Sequence, residues 1–252
     1  MRKFVLGAAL ALALGAGAAF ATEAPEPPAQ TWSFGGVFGT YDRAALRRGL
    51  QVYTELCAAC HSLNLLYYRN LQSVGFRKEE IKAIAADFEV EDGPNEDGEM
   101  FTRPAKPSDR FASPFPNDQA ARAANAGALP PDLSVITKAR EGGADYLHAV
   151  FTGYREDAPA GFEMPEGMFF NEYFPAHLIA MPPPMEDGAV EYADGTKATV
   201  EQMSMDVTTF LAWAAEPEME ERKRLGIKTM LFLFVLTAML YALKRKVWSD
   251  VH

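Results

Sequence analysis

The chain has 252 residues, 48% of them hydrophobic, which supplies one packed core without demanding several large domains. Its formal charge of −10, from 34 acidic against 24 basic residues, argues against nucleic acid as a partner and suits a basic protein, whose encounter an acidic field accelerates. Cys57 and Cys60 are its only cysteines, so there is no disulfide framework and both thiols belong to one local motif.

Residues 1–21 read as a secretory signal. Arg2 and Lys3 form the positive start, Phe4 to Leu14 the apolar stretch, and Ala19-Phe20-Ala21 an A-x-A cleavage site. The mature chain is expected to begin at Thr22, with a periplasmic domain over 22–216; an uncleaved N-terminal anchor is the alternative. Asp42 caps an expected helix with Leu46, Leu50 and Tyr53 on one face, running into Cys57. A second helix is expected over Arg77–Phe88, with Ile81, Ile84, Ala85 and Phe88 inward. Glu89–Asn117 reads as a long loop, because the like charges of Glu91 to Glu99 repel and its turn residues break periodicity.

Short helices are expected at Asp118–Asn125, Asp132–Glu141 and Ala144–Phe151. Met164 to Met185, dense in Pro, Phe and Met, reads as ordered coil. Strand signals are absent apart from a hairpin expected around Val190–Thr199, with Asp194-Gly195 at its turn. Thr199 and Gln202 form a T-x-x-Q capping box opening a helix with Met203, Val207, Phe210, Leu211 and Ala214 on one face.

Pro217 suits the first turn of a final helix. Thr229 to Leu243 is uncharged, and extension back to Leu225 makes 19 residues, with Lys228 snorkelling its ammonium outward. Such a helix is about 28 Å long, enough to cross a hydrocarbon core. Basic clusters flank it at Arg222-Lys223-Arg224 and Lys244-Arg245-Lys246, as a buried core helix would not have. The anchor is therefore placed at 217–246, with 225–243 in a bacterial inner membrane. Export of the middle segment leaves 247–252 in the cytoplasm.

Cys57-Ala58-Ala59-Cys60-His61 is C-x-x-C-H, the motif for covalent haem attachment. On one turn, two sulfurs reach the two vinyl groups of a haem and the adjacent histidine ligates iron. A thioredoxin-like pair needs a strand–helix context, and a zinc site needs a second Cys or His pair; neither is legible. For the sixth ligand, Met is the usual partner of His and raises the reduction potential. Met181, before Pro182-Pro183-Pro184, sits on a preset extended segment. Met185, Met164, Met168, Met203, His148 and His177 stay open as alternatives.

Several long strings resemble the cytochrome c1 family. They are Arg47 to Tyr53, Asp92 to Phe101, Ala121 to Ser134, Tyr173-Phe174-Pro175 and Phe210 to Pro217, and together they cover nearly the whole mature chain. The resemblance implies a mainly α fold, a cytochrome c-like haem domain with loop-rich insertions and a single C-terminal transmembrane helix. It implies one covalently bound haem c, Met181 as the sixth ligand, and a haem pocket lined by Asn125, Ala128, Pro130, Pro131, Arg140, Tyr146 and Phe174, with Arg140 facing a propionate. It also implies cytochrome b and Rieske iron–sulfur subunits as partners, with electrons passing to a soluble c-type cytochrome and no small-molecule substrate bound directly. Some bacterial relatives steady the Met loop with an extra disulfide, for which this chain has no cysteines. A free membrane-tethered shuttle, or a haem enzyme or gas sensor with a displaceable sixth ligand, are the competing expectations.

Overall fold

The computed structural model describes residues 24–251, so the expected signal at 1–21 lies outside the described residues. Among the described residues, six α-helices and two small hairpins are joined by long ordered loops. Helix α1 (Arg43–Val52) starts at Asp42, whose carboxylate accepts from the N–H groups of Ala44 and Ala45. Its buried face, including Leu46 and Leu50, packs on α5 (Val200–Ala215), where Met203, Val207, Phe210 and Leu211 are fully buried. The crossing is close because position 49 is glycine: a Cβ there would lie 2.1 Å from the Asp206 carbonyl oxygen. Helix α4 (Gly143–Thr152) flanks α5, while α2 (Lys78–Ala86) packs on a 3-10 helix over Tyr68–Val74. Burial of a side chain such as Phe210 contributes about 2 kcal/mol.

Four local expectations are corrected. Asp132–Glu141 forms no helix; it is a string of turns, because the Asp132 carboxylate is drawn onto another segment. Val190–Thr199 forms no hairpin. Its Asp194-Gly195 turn is present, but Val190 and Tyr192 both enter the core and find no strand partner. The loop expected over Glu89–Asn117 instead holds an antiparallel pair, β1 (Glu89–Asp92) and β2 (Phe101–Pro104), and helix α3 (Asp118–Ala124) follows. The Met-rich coil likewise holds β3 (Phe169–Phe170) paired with β4 (Leu178–Ile179).

The capping box at α5 is half formed. Thr199 Oγ1 accepts from Gln202 N, but the Gln202 side chain donates instead to Asp206. Pro217 lies in the turn before α6 (Met219–Val247), whose cap is Glu218. Helix α6 has acidic residues in its first turn and Lys244, Arg245 and Lys246 in its last, both matched to the helix dipole. Its apolar stretch is long enough to cross a membrane and none of it is buried, with Phe234 75% exposed. The first turn is bolted to the head: Glu220 accepts from Tyr41 N (2.8 Å) and pairs with Arg43 (2.7 Å), and Met219 is buried.

Candidate haem site

The site is built at the end of α1. After Val52 the helix widens into a π-helical turn over Tyr53–Cys57, a distortion common at functional sites. The Cys57 carbonyl then accepts from Cys60 N (3.1 Å) and His61 N (2.9 Å), folding C-x-x-C-H into one compact turn. Cys57 is buried among core residues and Cys60 is exposed. Burial pushes the Cys57 thiol up to about 12, with Cys60 adding to the effect. A dithiol redox pair depends on an accessible thiolate near neutral pH, so this environment suits a sulfur in an apolar wall instead. Among the described residues no group of three or more His, Cys, Asp or Glu side chains converges, so a zinc site has no donor set there.

His61 is oriented from the far side of the chain. Its Nδ1 lies 2.8 Å from the Pro131 carbonyl oxygen. With Nδ1–H donating, Nε2 keeps a free lone pair for a metal. Burial lowers the imidazole pKa, outweighing the Pro131 bond and Asp132, and favours the neutral, ligating form. Tyr53 Oη donates to the His61 carbonyl (3.0 Å).

Asp132, absent from the sequence-based site, holds Pro131 there. Its Oδ2 accepts from Ser62 Oγ (2.8 Å) and Asn64 N (2.7 Å), and its Oδ1 from Ser134 N (2.9 Å). Burial works against its charge, yet these hydrogen bonds hold the carboxyl below the usual range. Only tertiary contact reveals this role, since Asp132 lies some seventy positions along the chain from the motif it steadies.

The other expected lining residues fall in three groups. Asn125 closes α3, with its Nδ2 donating to Ala121 O (2.7 Å) and its carbonyl accepting from Ala128 N (2.9 Å). Ala126 and Gly127 take left-handed conformations there and turn the chain toward half-buried Pro130 and exposed Pro131. Arg140 is exposed, with no carboxylate partner among the described residues, and lies close enough for its charge to act on the half-buried Tyr146 phenol. That phenol is nevertheless pushed up, by burial. Phe174 belongs to the β3–β4 turn, where its N–H donates to Asn171 Oδ1 (3.1 Å).

Met181 lies two residues beyond β4, half-exposed, and Tyr154 Oη donates to its carbonyl (3.0 Å). Beyond the three prolines, Met185 is buried in the core. The loop bearing Met181 is thus gripped at three points: β4 pairing, Tyr154 and Met185. Tyr154 and the fully buried Asn171, which donates to Val150 O (2.7 Å), are further supports that sequence reading missed.

The alternatives to Met181 are mostly engaged elsewhere. Met203 is core. His148 Nδ1 lies 2.8 Å from Ser204 Oγ and its Nε2 3.2 Å from Glu201, and His177 stacks on Phe170. Met164 and Met168 remain partly exposed. No hydrogen bond or ion pair among the described residues joins the His61–Pro131 group to the Tyr154–Met181 group.

Leu129, Val135, Met164 and Phe169, on segments around these two groups, each expose more than a third of their surface. Apolar exposure of this kind is what a large apolar ring system covers. The thiols, the neutral imidazole and these exposed apolar side chains fit a haem.

A mainly helical domain with a C-x-x-C-H turn and an oriented histidine, set on one membrane-length apolar helix, defines a membrane-anchored c-type cytochrome. Residues 32–251 match the family model described as the Cytochrome C1 family. The chain belongs to that family, whose members carry covalently bound haem c, and Cys57, Cys60 and His61 supply its attachment motif here.

Among its relatives is a cytochrome c1 of Rhodospirillum rubrum, 47% identical over 267 residues, covering 100% of this chain and 98% of the relative. A cytochrome b/c1 of Bradyrhizobium diazoefficiens is 50% identical over 248 residues, 90% of this chain; the match spans 36% of that longer protein. A cytochrome b-c1 complex catalytic subunit of Candida albicans mitochondria is 48% identical over 225 residues, 89% of this chain and 78% of the relative.

Proposed function

We propose that this chain is the haem subunit of a respiratory ubiquinol–cytochrome c reductase, taking single electrons from a Rieske iron–sulfur subunit and passing them to a soluble c-type cytochrome. The observation that carries this reading is the C-x-x-C-H turn with His61 Nδ1 at 2.8 Å from Pro131 O, in a chain of the cytochrome c1 family. Cys57 and Cys60 would hold the haem c through thioethers, and His61 and Met181 are the residues that would ligate its iron. When bound, haem supplies a one-electron Fe(III)/Fe(II) change.

Pro131 and Asp132 keep the His61 ring in one orientation and tautomer, while Tyr154 fixes the backbone of Met181. Asn125, Ala128, Pro130, Pro131, Tyr146 and Phe174 would shield the bound haem from water, and Arg140 would offer its guanidinium to a propionate. With His61 and Met181 both ligating, oxygen and small substrates would find no open position at the metal.

The chain is placed in a bacterial inner membrane, its head in the periplasm and its C-terminus in the cytoplasm, beside cytochrome b. The name of the Candida relative supports membership of a b-c1 complex. The Glu220 and Lys223 contacts support a head fixed on its anchor, as a subunit requires and a tethered shuttle does not.

A reduced-minus-oxidised spectrum of the tagged protein, isolated from its membrane in mild detergent, tests the reading. Bands of b-type haem in fixed ratio to the c-type band are expected. A c-type band alone, reproduced under gentler extraction, would overturn subunit membership and favour a free shuttle.

A further inference from the structure

We propose that the loop Phe34–Gly39 is a second membrane contact, which inserts Val37 and Phe38 into the lipid interface beside the anchor helix. This rests on the reading of α6 as a membrane span. Thr31 to Tyr41 contains no charged residue. At its tip, Val37 and Phe38 are 65% and 83% exposed.

The tip is not a slack segment. Thr40 N donates to Ser33 O (3.0 Å) and Gly35 N to Trp32 O (2.9 Å). A Cβ at position 39 would lie 1.9 Å from Gly35 O, so the loop closes in this form only with glycine there. Its base is fixed to the head: Trp32 stacks on Phe34, Phe34 packs against buried Tyr41, and Trp32 Nε1 donates to Asp145 (2.6 Å).

The height of the tip follows from its contacts with α6. Tyr41 N meets Glu220, and the carbonyls of Gly39 and Phe34 accept from Lys223 Nζ (3.1 and 2.7 Å). Moving from Tyr41 to Gly39 therefore moves down the helix from 220 to 223, and the tip is the next step. Lys223 is two residues before Leu225, where the apolar stretch begins, or about 3 Å along the axis. The headgroup layer is about 5–8 Å deep on each side of the hydrocarbon core, so the tip falls within it. Uncharged aromatic and aliphatic side chains at this depth bury apolar surface among acyl chains, as interfacial anchors do. Two contacts would fix the tilt of the head on the membrane, which a single helix leaves to the junction alone.

The test places the photoreactive residue p-benzoylphenylalanine at position 38 of the full-length protein in its native membrane, with position 234 as the control. After irradiation, the peptide bearing residue 38 is expected to gain the mass of one phospholipid. Label on a neighbouring protein, or no label at 38 while 234 is labelled, would overturn the proposal. No label at 234 either would overturn the anchor reading, and this proposal with it.

Discussion

Arg48 on α1 grips Asp206 on α5 with two parallel hydrogen bonds, Nε to Oδ2 at 2.8 Å and Nη2 to Oδ1 at 2.9 Å. Asp206 is 1% exposed, and Arg48 also reaches the more exposed Asp194 (2.8 Å). The pair sits beside Gly49, at the crossing that aims α1 toward the haem turn. Arg48→Met leaves a buried carboxylate with little more than the Gln202 amide, and should destabilise the head by about 3 kcal/mol. Urea unfolding of the detergent-solubilised holo-protein, followed by haem absorbance, measures it. Arg48→Met with Asp206→Leu should recover part of the loss; a double variant no better than the single would contradict this account.

Met181 and Met185 flank the same three prolines yet occupy different places, one half-exposed and one in the core. Met181→Leu should leave the reduced protein able to bind carbon monoxide. Met181→His should keep it closed and lower the potential by a part of the roughly 0.8 V range that axial ligands command. Met185→Leu should do neither. Carbon monoxide difference spectra and a redox titration decide; a wild-type response from Met181→Leu would remove it as the ligand.

The acidic segment is presented at the end of the β1–β2 hairpin. Within it, Asp92 is engaged by Arg103, whose hydrogen bonds also hold the Asp109 carboxyl low, so Asp92 is structural. Glu91, Glu96, Asp97 and Glu99 are exposed. Their amides, with Asp92 kept, should slow reduction of a basic cytochrome c at low salt and flatten its ionic-strength dependence. Stopped-flow rates across a salt series check this, and an unchanged slope would rule out docking by this loop.

Acid should loosen the head in a defined window. The backbone N–H of Thr196, then Arg48, holds Asp194 at about 2; the backbone N–H of Arg77, then Arg47 and Arg77, holds Glu80 at about 2. In the unfolded chain these groups titrate near about 3.9 and 4.3. Between the two ranges the folded state binds fewer protons, so this stability is complete above about pH 5 and is lost as pH falls toward about 2. Both sites are open to solvent, so the effect is modest and weakened by salt. The thermal midpoint should fall between about pH 5 and pH 3, and less steeply in Glu80→Gln; identical slopes would show that Glu80 does not contribute.

Features with short-range causes were legible. Asp42 caps its own helix two and three residues on, the Cys57–His61 motif occupies five consecutive positions, and the face from Met203 to Ala214 repeats with helical period. The misreadings share one origin, a local signal outvoted by a distant partner. Asp132 looked like a helix start, but its carboxylate satisfies Ser62 and Asn64. Glu89 to Asp92 looked too charged for a strand. It pairs with Phe101–Pro104 all the same, since one face of a two-stranded hairpin stays in water.

From the sequence alone came the family resemblance, the haem motif, the membrane-length helix and the main helices, because each depends on residue identity and spacing within a few turns of chain. Tertiary structure decided which carbonyl orients His61, what grips the Met181 loop without a disulfide, and how the head is seated on its anchor. Those depend on Pro131, Tyr154, Asn171, Glu220 and Lys223 meeting groups far away in sequence. A hydrogen bond acts over about 3 Å of space and is indifferent to chain separation, so such pairings emerge only once the core has folded.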